Sequence, residues 1–439
     1  MFRNSKQRVS GLLTRNTQFF TLWCFVASFG AYFSMYAFRK PFNAALFLDG
    51  ESSFLTSKAF FIIAQVLGYM CSKFIGVKVI SELKPNQRVR LILLLILIAE
   101  FALFFFAIAP LSFKFIFLFL NGLPLGMVWG VVFSFLEGRR VTEFIASGLC
   151  ISAIVSSGFL KSFGRYFIEE IGVLDFWMPF LIGLIFVPVF LFFVWMLWVI
   201  PKPNSDDIRL KKKRVPMTKL DRSNFLNRYK FGLLLLIASY AMLSVFRDFR
   251  DNFSVEIWSQ INEKASLSIF LETESIVGII VVLLMGLFVF FKNNTAGLKA
   301  TFLIIAFGFA TLIVSTLLFQ RSIISGYEWI ISSGVGLYMS YVPFQVVIYE
   351  KLIAWLNERG NAGFLMYLSD STGYFFAVAI LTGTEFLKWE VDWLNFIINA
   401  AYFTGIIGVI QLLLSFIYFM NKEEISNQTI KESYEKHNA

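Results

Sequence analysis

The sequence predicts an all-α integral membrane protein: twelve transmembrane helices in two pseudo-symmetric six-helix bundles. Three observations lead there. Of 439 residues, 57% are hydrophobic, only 15% are charged, and Phe alone occurs 55 times; a soluble domain could not hide that much apolar surface. Twelve apolar segments reach spanning length. One long polar insert, 201–228, divides them into two sets of six.

Taken in order, the N-terminus "MFRNSKQRVSGLLTRN" is basic and polar. It lacks a short apolar core followed by a small-residue cleavage site, so no cleavable signal is expected. The expected spans are 17–46, 54–77, 88–109, 111–136, 143–168, 175–200, 229–257, 266–291, 296–319, 323–349, 360–384 and 392–420. The organisation is then an N-terminal bundle over 1–200, a cytoplasmic linker over 201–228, a C-terminal bundle over 229–421 and a polar tail over 422–439. Lys and Arg set the orientation. Twenty-seven lie in or beside the N-terminus, the even-numbered loops and the tail, and about six lie in the odd-numbered loops. Both termini are therefore expected in the cytoplasm, and "LKKKR" (210–214) is read as part of that topology signal. The net charge of +10 belongs to these loops and not to a nucleic-acid surface. Cys24, Cys71 and Cys150 fall in apolar runs without metal or redox spacing. No metal site and no cofactor is expected, and no P-loop, nucleophile elbow or dinucleotide fingerprint points to an enzyme.

The two halves look related. At an offset of 208 residues, "YFSMYAFR" (32–39) lies over "YAMLSVFR" (240–247), matching Tyr32 with Tyr240, Phe38 with Phe246 and Arg39 with Arg247. A parallel repeat of this kind is the plan of a rocking protein with a ligand site where the repeats meet. Polar residues also converge on single helical faces. Tyr32, Tyr36 and Arg39 share one face of the first span; Gln65, Tyr69, Ser72 and Lys73 share one on the second. The tenth span offers Tyr338, Tyr341 and Gln345, and the eleventh Tyr367, Asp370, Ser371 and Tyr374. Lipid cannot satisfy such groups, so they line a cavity or bond between helices.

Arg39 and Arg247 are the leading candidates for anion recognition. A guanidinium presents a planar fork that fits phosphate or carboxylate oxygens and keeps its charge. The bland alternative is snorkelling or a structural ion pair. Lys40 and Lys73 are weaker candidates because lysine snorkels easily. Asp248, Asp251, Glu272, Glu274 and Asp370 fall within or near the later spans, and Glu100 sits mid-way along the third. Such carboxylates are paired with cations or neutral. They form either fixed bridges or movable, coupling ones. Glu100 receives no role.

The chain resembles the major facilitator superfamily, and within it the organophosphate:phosphate antiporters that exchange glycerol-3-phosphate or hexose phosphates. Tyr36-Ala37-Phe38-Arg39-Lys40-Pro41-Phe42 stands where that group has Tyr-x-x-Arg-Lys-Asn-Phe. Ser72-Lys73-Phe74 matches its Ser-Lys-Phe, and Arg247 followed by Asp251, Asn252 and Phe253 resembles its seventh helix. Tyr338 and Tyr374 fall where family tyrosines would. The chain departs from the family at Pro41, at Ser244, in the loop "SELKPNQR", and in having no histidine besides His437. It would then belong to an uncharacterised bacterial family of that fold.

The resemblance implies a secondary transporter that exchanges a small organic anion, most naturally a phosphate ester or phosphate, by alternating access. A proton-coupled symporter of another organic anion or a sugar, and a non-transporting sensor on the same fold, are the alternatives. Substrate binding would fall to Arg39, Arg247, Lys73, Lys40, Tyr32, Tyr36, Tyr240, Tyr338 and Tyr374. Coupling or gating would fall to Asp248, Asp251, Lys161, Glu272, Glu274 and Asp370. The fold further implies that Lys40 reaches Asp251 or Asp248, and Lys161 reaches Glu272 or Glu274, in at least one state. A monomer in the bacterial inner membrane is expected, with the bilayer and a small anion as its partners and no nucleic acid.

Overall fold

A computed structural model describes residues 2–47, 57–81, 83–136, 142–201, 219–261, 266, 268–286, 294–356, 362–386 and 391–437. Among these residues there are helices and no strands. The helices are α1 (Phe2–Arg15), α2 (Thr17–Tyr36), α3 (Lys58–Ser81), α4 (Arg88–Ile108), α5 (Lys114–Leu136), α6 (Thr142–Glu169), α7 (Met178–Val199), α8 (Lys219–Arg228), α9 (Lys230–Asn252), α10 (Ser254–Gln260), α11 (Ile269–Gly286), α12 (Asn294–Gln320), α13 (Gly326–Val346), α14 (Ile348–Leu356), α15 (Ala362–Phe386) and α16 (Trp393–His437).

Ten helices among the described residues are long and apolar enough to cross a membrane, and eleven if α13 and α14 form one bent span. The helix α6, at 28 residues, also has the length to cross. Together these are compatible with twelve spans. The outward surface supports the same environment. On α4, Leu94, Leu97, Ile98, Phe101, Phe105 and Ile108 are all exposed; their three- and four-residue spacing makes one apolar stripe that only lipid tails solvate. The chain is an integral membrane protein of all-α class.

Several boundaries differ from the sequence reading, each for a local reason. The first span was expected to run to residue 46, yet α2 stops at Tyr36 and is followed by a 3₁₀ turn over Pro41–Ala44. Pro41 has no N–H and its ring crowds the preceding turn, so the α-helix cannot pass through it. The seventh span breaks at Phe253, between α9 and the short α10. The tenth bends by 46° between α13 and α14, just past Pro343. In the N-terminal polar stretch Phe2–Arg15 is helical, and α16 continues through the polar tail to His437. Within the linker, 202–218 and with it "LKKKR" lie outside the described residues.

The caps are legible. Asn16 starts α2 by accepting from Gln18 N and Phe19 N at 2.9 and 3.0 Å. Ser325 and Glu328 form a reciprocal capping box at the start of α13.

Two compact units emerge. One comprises Met1–Lys213, Asp248–Val282 and Tyr374–Leu394; the other comprises Arg214–Arg247, Leu283–Gly373 and Asn395–Ala439.

Within the first unit α3 and α5 meet along a seam of small residues. A Cβ on Gly68 would stand 2.1 Å from Phe119 O, one on Gly122 2.1 Å from Gln65 O, and one on Gly126 2.6 Å from the Ser72 Cβ. The four-residue spacings 68/72 and 122/126 bring the two backbones together as small-xxx-small motifs do in lipid. In the second unit Gly308 and Gly336 give α12 and α13 a similar contact.

Candidate functional site

In the first unit the seam builds a support for Arg39. At its centre Gln65 Nε2 donates to Asn121 Oδ1 at 2.8 Å and to Arg39 O at 3.2 Å. Asn121 Nδ2 donates to Phe38 O at 2.9 Å and Ala99 O at 3.0 Å. The turn that follows α2 thus has two of its carbonyls held by buried amides. That fixes the direction in which Arg39 leaves the backbone.

The Arg39 side chain is 7% exposed. Its guanidinium carbon lies 4.0 Å from the centroid of the Tyr69 ring and 6.0 Å from that of Tyr36. Tyr32 stands edge-on to Tyr36 at 5.3 Å, and Tyr374 lies 5.3 Å from Tyr69. Lys73 Nζ is 5.3 Å from the Tyr69 centroid. Five of the expected binding residues in this unit therefore gather: Arg39, Lys73, Tyr32, Tyr36 and Tyr374. The ion pairs among the described residues do not involve Arg39, and its Nε is buried without a hydrogen-bond partner. Asp248 adds a negative charge to its surroundings. A cation over aromatic faces is stabilised by the ring quadrupoles.

A second cluster in the same unit centres on Asp251. Lys161 Nζ reaches Asp251 Oδ1 at 2.6 Å, and Lys40 pairs with Oδ2. Ser157 Oγ donates to Oδ1 at 2.5 Å. Lys161 also donates to Asp251 O at 3.0 Å and Ser254 Oγ at 3.1 Å. Lys40 and Asn43 both donate to Asn252 Oδ1 at 2.9 Å. Lys40 and Lys161 are 5% and 1% exposed. One carboxylate thus balances two buried ammonium groups.

Nearby pairs use residues that the sequence reading did not single out. Lys58 meets Glu256 at 2.6 Å and donates to Asn43 O at 2.9 Å. Arg250 meets Glu274 at 2.7 Å. Glu274 is thus taken by Arg250 in this conformation, and Lys161 pairs with Asp251. Glu272 is exposed and accepts from Ser268 Oγ. For Arg250 the available signal was the run "FRDFRDN" (246–252), where a further cation in so apolar a neighbourhood needs a partner of its own.

The second unit holds the other arginine. Arg247 lies within α9, whereas Arg39 lies in the turn past α2, so their local backbones differ. The Arg247 guanidinium carbon is 4.6 Å from the Tyr341 ring centroid, and its Nη1 donates to the Tyr341 hydroxyl. Tyr240 stacks on Tyr341 at 5.0 Å, and its hydroxyl donates to Asp370. Gln345 Nε2 donates to the hydroxyls of Tyr240 and Tyr341 at 2.6 and 2.9 Å, and to Asp370 Oδ1 at 3.3 Å. Tyr338 lies 6.5 Å from Tyr341, edge-on. Ser244 has a packing reason: a Cβ on Gly373 of α15 would lie 2.6 Å from the Ser244 Cβ. A tyrosine at 244 would collide with α15.

Solved structures place this architecture. The chain is similar to a D-xylose–proton symporter at 14% identity, covering 90% of this chain and 96% of that one with a TM-score of 0.58. The nucleoside transporter NupG matches at 12% identity, 91% and 98% coverage and a TM-score of 0.57. A bacterial homologue of the iron transporter ferroportin matches at 14%, 91% and 98%, with 0.56. At such identities the likeness establishes the fold, which is that of the major facilitator superfamily. More particularly, the chain belongs to the family of unknown function DUF5690, matched over residues 41–422. Comparison with curated sequences finds no match.

Proposed function

We propose that the protein is a secondary transporter of a small organic anion, working by alternating access, with a phosphate ester or phosphate as the favoured cargo and exchange as the favoured mode. The observation that carries this reading is Arg39: a buried guanidinium in a tyrosine cage, with no carboxylate paired to it and its Nε unpartnered. Leaving such a charge uncompensated is costly, and an anionic ligand with two oxygens would satisfy the fork. Arg247, held over Tyr341, supplies the same chemistry in the second unit. The Lys40–Asp251–Lys161 cluster is the gating element, whose pairs break and re-form as the carrier cycles. A ligand that binds one conformation better than another shifts their populations, and this is how a bound anion would drive the cycle.

The test is thermal stabilisation of purified protein by inorganic phosphate, glycerol phosphate, a hexose phosphate and citrate. Wild type should respond to at least one, and Arg39→Lys and Arg247→Lys should both lose the response, because lysine keeps the charge but not the fork. Undiminished stabilisation in both variants would refute anion binding by the arginines. Flux in liposomes, by counterflow without a proton gradient, then separates exchange from proton-linked symport and from a non-transporting sensor.

A further inference from the structure

Glu100 takes no part in either cluster. It is 9% exposed, and both carboxyl oxygens are enclosed without a hydrogen-bond partner. It lies against Gly183 of α7: a Cβ there would stand 2.2 Å from Oε2 and 2.9 Å from the carboxyl carbon. The absence of a side chain at 183 is what gives the carboxyl its space.

The charges around it are few and occupied. The helices α5 and α7 pack on α4. The sequence of α7 holds no charged residue. On α5 the one charged group is Lys114, whose Nζ donates to Phe106 O and Ala107 O at 2.6 and 3.0 Å and lies 4.2 Å from the Phe176 centroid. Those carbonyls belong to residues six and seven positions beyond Glu100, about 9–10 Å along the helix axis. On α4 itself the charges are Arg88 and Arg90, twelve and ten positions back, about 18 and 15 Å away along the axis.

An ionised carboxylate here would be a lone anion in an apolar seam, with neither cation nor donor. A neutral acid avoids that, and its O–H can turn to a helix carbonyl of its own turn. We propose that Glu100 is a proton-binding site: it carries its proton in this conformation and exchanges it only when α4 and α7 part enough to admit water. The site is independent of the anion reading, and it stands whether or not Arg39 binds a ligand.

Infrared difference spectroscopy of reconstituted protein, wild type minus Glu100→Gln at neutral pH, tests this directly. The expected result is the carbonyl stretch of a protonated carboxylic acid, present in wild type, absent in the variant, and shifting slowly on transfer to heavy water. A carboxylate stretch in its place would overturn the proposal, and an immediate shift in heavy water would overturn the sealed seam. If Glu100→Gln does not accumulate, ¹³C-glutamate labelling of wild type and Glu100→Asp gives the reading: a labelled acid band lost in the variant supports the site, and a labelled acid band unchanged in the variant, or labelled carboxylate bands alone, refutes it.

Discussion

Asp251 shows how much can rest on one side chain. It holds two buried ammonium groups, so Asp251→Asn would leave both without a counter-charge, and breaking a buried pair this way costs about 3–5 kcal/mol. Lys161→Met, by contrast, leaves Asp251 with Lys40 in a one-to-one pair. The expected order in detergent melting is wild type, then Lys161→Met, then Asp251→Asn, with the last far below. Equal losses in the two variants would show that the lysines have other compensation. Residue types at this scale were legible in the sequence: Arg39, Lys40, Lys161 and Asp251 stand out because charge is expensive in apolar runs. Partner choice was not. Which carboxylate Lys161 meets depends on how the end of α9 is rotated against α6 and α11, and spacing along a single helix does not encode that. Arg250 shows the same limit, since its pairing with Glu274 depends on α11.

At the scale of elements, the close approach of α3 and α5 is the feature most open to test. Gly122→Val would drive a branched side chain into Gln65 O, push the helices apart and break the Gln65–Asn121 bridge that holds the Arg39 turn. Overpacking costs about 1–3 kcal/mol. Gly76, whose added Cβ would meet only the flexible Met127 side chain at 3.1 Å, provides the control. Gly76→Ala is expected to melt close to wild type, and Gly122→Val is expected to melt clearly lower and to lose anion stabilisation. A Gly122→Val protein that melts and binds like wild type would remove the seam from the account. The existence of the long apolar helices was readable from apolar length alone. The ends were less so, because Pro41 terminates α2 ahead of the apolar run's end, whereas α16 runs on past it through polar residues that still favour helix.

For the whole molecule, topology is the open expectation. Cysteines placed at Ser112 and at Asn204 in an otherwise cysteine-free chain should label from opposite sides of the membrane, with Asn204 on the cytoplasmic side, as the Lys and Arg bias requires. Labelling of both from one side would break the twelve-span plan, and Ser112 on the cytoplasmic side with Asn204 opposite would invert it. The all-α membrane class was legible because bilayer thickness imposes length and composition directly. The grouping into compact units was not: residues 248–282 and 374–394 cluster with the first 213, and helix packing, unlike span length, leaves little trace in hydropathy.

The shared carboxylate also constrains how such a chain could change over generations. A lineage that loses Lys161 first still has a balanced pair to build on, and Asp251 can drift afterwards together with Lys40. A lineage that loses Asp251 first must survive with two stranded cations. The permitted route through these three positions therefore has a direction, lysine before aspartate, and stepwise reconstruction of the intermediates should find only that order passable.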